Sequence, residues 1–232
     1  MSKGQITRER IVAAAAPVFN QKGYAGTSLA DLMEATGLEK GGIYRHFDSK
    51  QALAEDAFDY AWGLATALRF DGLDQIPNAV DKIAHFIVSF RDRRTGLPGG
   101  CPLLNTAVDA DDSNPQLKAR ARAALDCWLN SLESIFKQGQ RDRQVSSRID
   151  PAQQAQLIIA TLEGALFLSR LTHDQAPLHA AAAHLIDHLE ASVRTPRRAN
   201  LAAKPPRTQK SRRPTAATAS QQLRSSTGKP RR

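Results

Sequence analysis

Up to about residue 195, apolar side chains recur every three or four positions, and no stretch shows the period-two alternation of a half-buried strand. That pattern restricts the chain to an all-α fold. Residues 7–22 place Ile11, Ala14, Ala15, Val18 and Phe19 on one face, and Gly23 follows as a helix stop. Ser28 and Asp31 form a capping box ahead of a short helix ending near Gly37, and a second short helix occupies about 39–46. Ser49 or Asp48 caps a longer helix carrying Ala52, Leu53, Ala57 and Leu64. Another amphipathic stretch spans about 75–91, and residues 92–100 are polar and glycine-rich, which predicts a loop. Asn114-Pro115 and Asp150-Pro151 each set a capping side chain before a first-turn proline, opening helices of about 115–139 and 151–172. Pro177 opens the last helix.

Residues 178–189 carry one apolar stripe, whereas 157–168 are apolar almost all round. A helix apolar on every face must be covered on every face. A partner subunit is one cover, eased by Gly164 and Ala165; central burial in a larger monomer is the other. No apolar run approaches the roughly 18–20 residues that span a bilayer, so no membrane role is expected.

Charge is unevenly placed. The net charge is +9, yet residues 195–232 hold eleven of the 32 basic side chains and no acid. Residues 1–194 therefore carry 21 basic against 23 acidic residues, a net of −2. The tail is rich in Pro, Ala, Ser, Thr, Arg and Lys and too poor in large apolar residues to offset chain entropy, so disorder is expected there. Two cysteines, Cys101 and Cys127, are too few for a disulfide framework or zinc cluster, and residues 1–20 lack a signal-peptide h-region. A reducing cytoplasm is the expected compartment.

The segment 27–47 carries the functional signal. Leu29, Leu32 and Met33 face inward from the first short helix, Gly37 makes the turn, and Ile43 and Phe47 bury the second. The opposite face then presents Lys40, Gly41, Gly42, Tyr44, Arg45 and His46. Small residues at 41 and 42 let a helix sit deep in a major groove, with Lys40 reaching a base edge or phosphate and Tyr44 and His46 donating to phosphates. Two consecutive glycines weaken a free helix by about 1 kcal/mol each, which points to a contact requirement. Tyr44 and Phe47 as mere core, with Lys40 and Arg45 on a solvated face, is the plainer alternative.

These residues resemble the tetracycline-repressor (TetR) family of bacterial regulators. The likeness covers residues 7–53: the Phe19, Gly23-Tyr24 and Thr27-Ser28 lead-in, the Ala35-Thr36-Gly37-Leu38 turn, the run from Lys40 to Phe47, and Ser49 to Leu53. It implies a helix-turn-helix domain at 1–50, an effector-binding and dimerisation domain at 51–194, and a basic tail at 195–232. It implies a homodimer that reads a near-palindromic double-stranded DNA operator and is released by a small effector. By the same likeness Thr27, Ser28, Tyr44, His46 and Lys50 hold phosphates, while Lys40, Gly41, Gly42 and Arg45 face bases. Glu39 departs from the family's usual Ser or Thr, so the cap and phosphate contact expected there do not carry over; an acid repels phosphate, unless it accepts from a cytosine amine.

Residues 51–194 then hold the effector pocket, with Trp62, Phe86, Phe90, Leu104, Trp128, Glu163 and Phe167 as lining candidates, although aromatics at helical spacing also build cores. Their apolar character favours a lipophilic or aromatic effector. Cys101 sits between Gly99-Gly100 and Pro102, at the start of an expected helix whose N-terminus favours thiolate. This junction resembles family members that respond to electrophiles or oxidants; an unreactive packed cysteine is the alternative. Cys127, beside Trp128, reads as core. No P-loop, dinucleotide fingerprint, G-x-S-x-G or H-E-x-x-H occurs, so neither enzyme activity nor a cofactor is expected, and no metal site. A non-specific nucleic-acid binder driven by the tail is the rival function.

Overall fold

The structure is a computed structural model and describes residues 2–93 and 96–196. Nine α-helices are described: α1 (Lys3–Gly26), α2 (Leu29–Thr36), α3 (Lys40–Tyr44), α4 (Lys50–Phe70), α5 (Ala79–Asp92), α6 (Pro102–Ala110), α7 (Pro115–Arg141), α8 (Pro151–Thr172) and α9 (Ala176–His188). A π-helical turn, Leu189–Val193, extends α9. Helix starts follow local chemistry. The side chains of Ser28, Ser49, Asn78, Asn114 and Asp150 each accept from a first-turn N–H that has no helical partner.

Two cores result. Ile11, Val12 and Ala15 of α1 meet Leu32, Ile43, Phe47 and Leu53 in the smaller. The larger is built on Val80, Ile83, Phe86 and Ile87 of α5, Trp128, Leu132 and Phe136 of α7, and Ile158 and Leu162 of α8. Helix α4 serves both, with Leu53 in the first and Ala54 and Phe58 in the second.

Gly23 lies inside α1 with φ 71° and ψ 174°, a conformation that kinks the helix and suits glycine. The kink frees the Tyr24 N–H, which donates to Asp109 Oδ2 of α6 at 2.7 Å.

Helix α8 corrects the expectation about apolar runs, because by length and mean hydropathy alone it is long and apolar enough to cross a membrane. Ile158, Ile159, Leu162 and Ala165 pack into the larger core. Its far end stays open: Phe167, Leu168 and Leu171 are 54%, 49% and 67% exposed. At the C-terminal side the backbone is still bonded where the tail was expected to begin, since Thr195 N–H donates to Gln144 O at 2.9 Å. The remainder of the expected tail, 197–232, lies outside the described residues.

Candidate DNA-reading surface and the domain behind it

The turn between α2 and α3 forms as its sequence requires. Gly37 adopts φ 66°, and its N–H donates to Met33 O at 2.9 Å. Ser28 N–H donates to Asp31 Oδ2 at 2.8 Å while Asp31 N–H donates to Ser28 Oγ at 3.1 Å. The Lys22 ammonium, 2.6 Å from Asp31, together with the Ser28 N–H and hydroxyl, holds the Asp31 carboxyl well below the usual carboxylate range. Ile43 and Phe47 are buried, so α3 can present only its opposite side. On that side Lys40, Gly41 and Arg45 are exposed, and Gly42, Tyr44 and His46 are half-buried.

The two glycines differ. A Cβ at Gly41 would meet nothing within 4 Å, whereas one at Gly42 would press on Leu38 Cβ at 3.3 Å. Protein packing therefore accounts for the small residue at 42 but not at 41. Glu39 precedes α3 and makes no side-chain cap hydrogen bond, as its departure from the family pattern implies.

Two expected phosphate ligands are turned to other work. Thr27 is 1% exposed, and its hydroxyl donates to Gly23 O at 2.6 Å, satisfying a carbonyl left open by the α1 kink. Lys50 Nζ donates to Tyr24 O at 2.6 Å and lies 4.5 Å from the Tyr24 ring centre. Ser28 remains exposed at the end of α1. Sequence reasoning missed Arg8. Its guanidinium lies 4.1 Å from the Phe47 ring centre, donates to His46 O, and pairs with Asp56 at 2.6 Å, clamping the end of the reading segment to α1 and α4.

The expected effector residues do not converge on one pocket. Trp62, Phe86 and Phe90 surround the fully buried Trp128, with ring centroids 4.7, 5.8 and 6.1 Å from it. Phe86 and Trp128 are buried in the larger core, and the half-buried Trp62 packs against it. Leu104 and Glu163 line a cleft of about 560 Å³ between α6, α7 and α8. With Phe167 they also line one of about 710 Å³ against α1. Phe90 and Cys101 instead line a separate chamber of about 240 Å³ under the loop that precedes α6.

The cysteines fit the packed reading of Cys101 but not the core reading of Cys127. Cys101 is buried at the N-cap of α6, and Cys127 is exposed on α7. Burial, then the facing Glu163 carboxyl, pushes the Cys101 thiol well above its usual range, so the expected thiolate is not favoured. The helix-end contribution of about 0.3–1 kcal/mol is outweighed by desolvation. Glu163 is 9% exposed with neither carboxylate oxygen hydrogen-bonded, and burial raises its pKa despite the Cys101 thiol and the Arg69 charge nearby.

That shift has a pH signature. Between the ordinary value of 4.5 and the raised native value the folded chain keeps a proton on Glu163 that the unfolded chain has released, so the contribution of Glu163 to stability falls as pH rises through that interval. Glu163→Gln removes this loss. Its melting temperature is expected to gain on wild type as pH rises above about 4.5; a gap constant with pH would contradict the burial account.

A polar clasp ties this region to α1. Asn20 Nδ2 donates to Pro98 O at 2.8 Å and Gly100 O at 3.3 Å, and Asn105 Nδ2 reaches Asn20 O at 3.0 Å and Gly99 O at 2.7 Å. The loop before α6 is thereby bonded directly to the long helix that carries the reading segment.

A helix-turn-helix with an exposed basic face, mounted on an all-helical body, defines a DNA-binding transcription regulator. The chain matches "Bacterial regulatory proteins, tetR family" over residues 11–57 and "Tetracyclin repressor-like, C-terminal domain" over residues 79–185. A TetR transcriptional regulator from Chloroflexus aurantiacus is 46% identical, with 84% of this chain and 100% of that one covered and a TM-score of 0.81. A TetR-family regulator from Cytophaga hutchinsonii is 36% identical, covering 84% and 98%, with a TM-score of 0.79. An HTH-type transcriptional regulator of Mycobacterium tuberculosis is 28% identical over 183 residues, 74% of this chain and 88% of that protein. The chain belongs to the TetR family of bacterial transcriptional regulators, which are DNA-binding repressors.

Proposed function

We propose that the chain is a homodimeric, cytoplasmic repressor that reads a near-palindromic operator through α3 and leaves it when a small effector binds residues 51–194. The observation that carries this reading is the α3 face, where Lys40, Gly41 and Arg45 are exposed and Gly41 is small for no reason within the protein. Tyr44 and His46 flank that face as phosphate donors, with Ser28 beside them. Dimerisation is supported by the open apolar end of α8, where Phe167, Leu168 and Leu171 are exposed together. Release is supported by the Asn20–Asn105 clasp, through which movement of the loop before α6 reaches α1.

Gel shifts test the DNA half of this reading. Tyr44→Ala is expected to weaken binding to all sequences about tenfold, the loss of one phosphate contact at roughly 1.4 kcal/mol. Lys40→Ala is expected also to change the preference between operator variants, because a base-edge contact is worth about 1–3 kcal/mol of discrimination. Unchanged operator affinity in both variants removes the assignment.

A further inference from the structure

The chamber beneath the loop before α6 has a one-sided charge. Arg69, Arg91, Arg93 and Arg170 line its wall, and among the described residues no aspartate or glutamate does. Two of these cations are already engaged, Arg91 with Asp92 at 2.6 Å and Arg93 with Asp71 at 2.8 Å. Arg69 is not. It is 7% exposed, its guanidinium carbon lies 4.5 Å from the Phe90 ring centre, and its Nε and Nη1 have no hydrogen-bond partner. Glu163 is near enough to act on it by charge but forms no ion pair with it, since neither Glu163 oxygen has a hydrogen-bond partner. A buried cation without a partner is costly, and such donors are retained where something accepts from them.

The remaining wall is apolar, including Phe90, Leu166 and Leu178. At about 240 Å³ the chamber falls below the roughly 300–1,000 Å³ of sites for drug-sized ligands, so it suits a small one. We propose that this chamber is a seat for a small organic carboxylate, whose carboxylate accepts from the Arg69 guanidinium while its hydrocarbon body lies against Phe90, Leu166 and Leu178. Planar, fork-like donors make arginine well suited to a carboxylate.

The seat deepens the proposed function, and only its regulatory consequence rests on that reading. Pro98, Gly99 and Gly100 form part of its wall, and the same three residues accept from Asn20 and Asn105. A Cβ at Gly100 would lie within 2.8 Å of Arg170 Cδ, and one at Gly99 2.7 Å from Asn20 O, so the loop is held closely between α8 and α1. A ligand that shifts the loop therefore shifts the clasp on α1.

The test uses the full chain, with benzoate and its uncharged counterpart benzamide as probes in titration calorimetry and thermal melts at constant chloride. Benzoate is expected to bind saturably at one site per chain and raise the melting temperature, and benzamide to bind at least tenfold more weakly. Arg69→Met is expected to melt at or above wild type without ligand, since a buried charge has been removed, and to bind benzoate at least tenfold more weakly. Arg69→Lys, which keeps the charge, is expected to bind between the two and serves if the Met variant does not fold. Equal binding of the two probes, undiminished benzoate binding by either variant, or no benzoate binding by wild type at tens of millimolar overturns the seat. Gel shifts with benzoate present separate the two proposals: binding without operator release leaves the seat standing and removes its role as the effector site.

Discussion

Replacing Trp128 by alanine is expected to lower stability by about 3–5 kcal/mol, the cost of emptying a large aromatic from a packed core. Trp128 is fully buried at the centre of Trp62, Phe86 and Phe90, so no solvent or ligand space exists to absorb the loss. For a folded unit of this size each kcal/mol moves the melting temperature by roughly 2–4 °C, giving an expected drop of about 6–20 °C in a circular-dichroism melt. Trp128→Phe should lose less, because it keeps a ring between Phe86 and Phe90. A melting temperature within about 2 °C of wild type for the alanine variant would show that the site is a ligand cavity after all.

The second large effect falls on DNA and leaves the fold alone. Gly41→Glu places a carboxylate on the α3 face at a position where a Cβ meets nothing within 4 Å. Helix propensity favours Glu over Gly by up to about 1 kcal/mol, so stability should hold or rise. In the major groove the same side chain brings bulk and a negative charge against the phosphates. An operator-affinity loss of at least a hundredfold is expected, about 2.8 kcal/mol. Gly41→Ala should show a smaller loss with the same stability gain. A glutamate variant that binds the operator like wild type would place Gly41 away from the DNA.

Helix boundaries were legible because they are local: Asn114-Pro115, Asp150-Pro151 and the Ser28–Asp31 box each satisfy open N–H groups within one turn. Gly37 was legible for the same reason. The pocket was not, because an aromatic at helical spacing fits a core and a ligand site equally well, and only packing separated Trp128 from Phe90. Of the two cysteines, Cys127 was misread and Cys101 was left between two readings. Cys127 was placed by its sequence neighbour, yet the buried stripe of α7 runs Ala124, Trp128, Leu132 and Phe136, one residue out of phase with it. For Cys101 the helix terminus favours a thiolate and packing opposes it, and only the structure supplies the desolvation that dominates. Arg69 did carry a signal that went unread. It continues the i, i+4 series Ala57, Ala61 and Ala65, all buried, so a cation stands where the apolar stripe of α4 should run on. Asn20 likewise follows Val12 and Ala16 on the buried side of α1.

The central claim is that α3, presented twice by a dimer, reads a specific DNA sequence. Footprinting of purified protein on the DNA flanking its own gene tests it most directly. The expected result is one protected near-palindrome whose half-sites lie about 34–36 Å apart or a multiple of that, unchanged by excess unrelated DNA and abolished by Gly41→Glu. Protection spread evenly along the fragment, lost to unrelated competitor and retained by Gly41→Glu, would contradict it and leave the eleven basic residues of 195–232 as the source of DNA affinity.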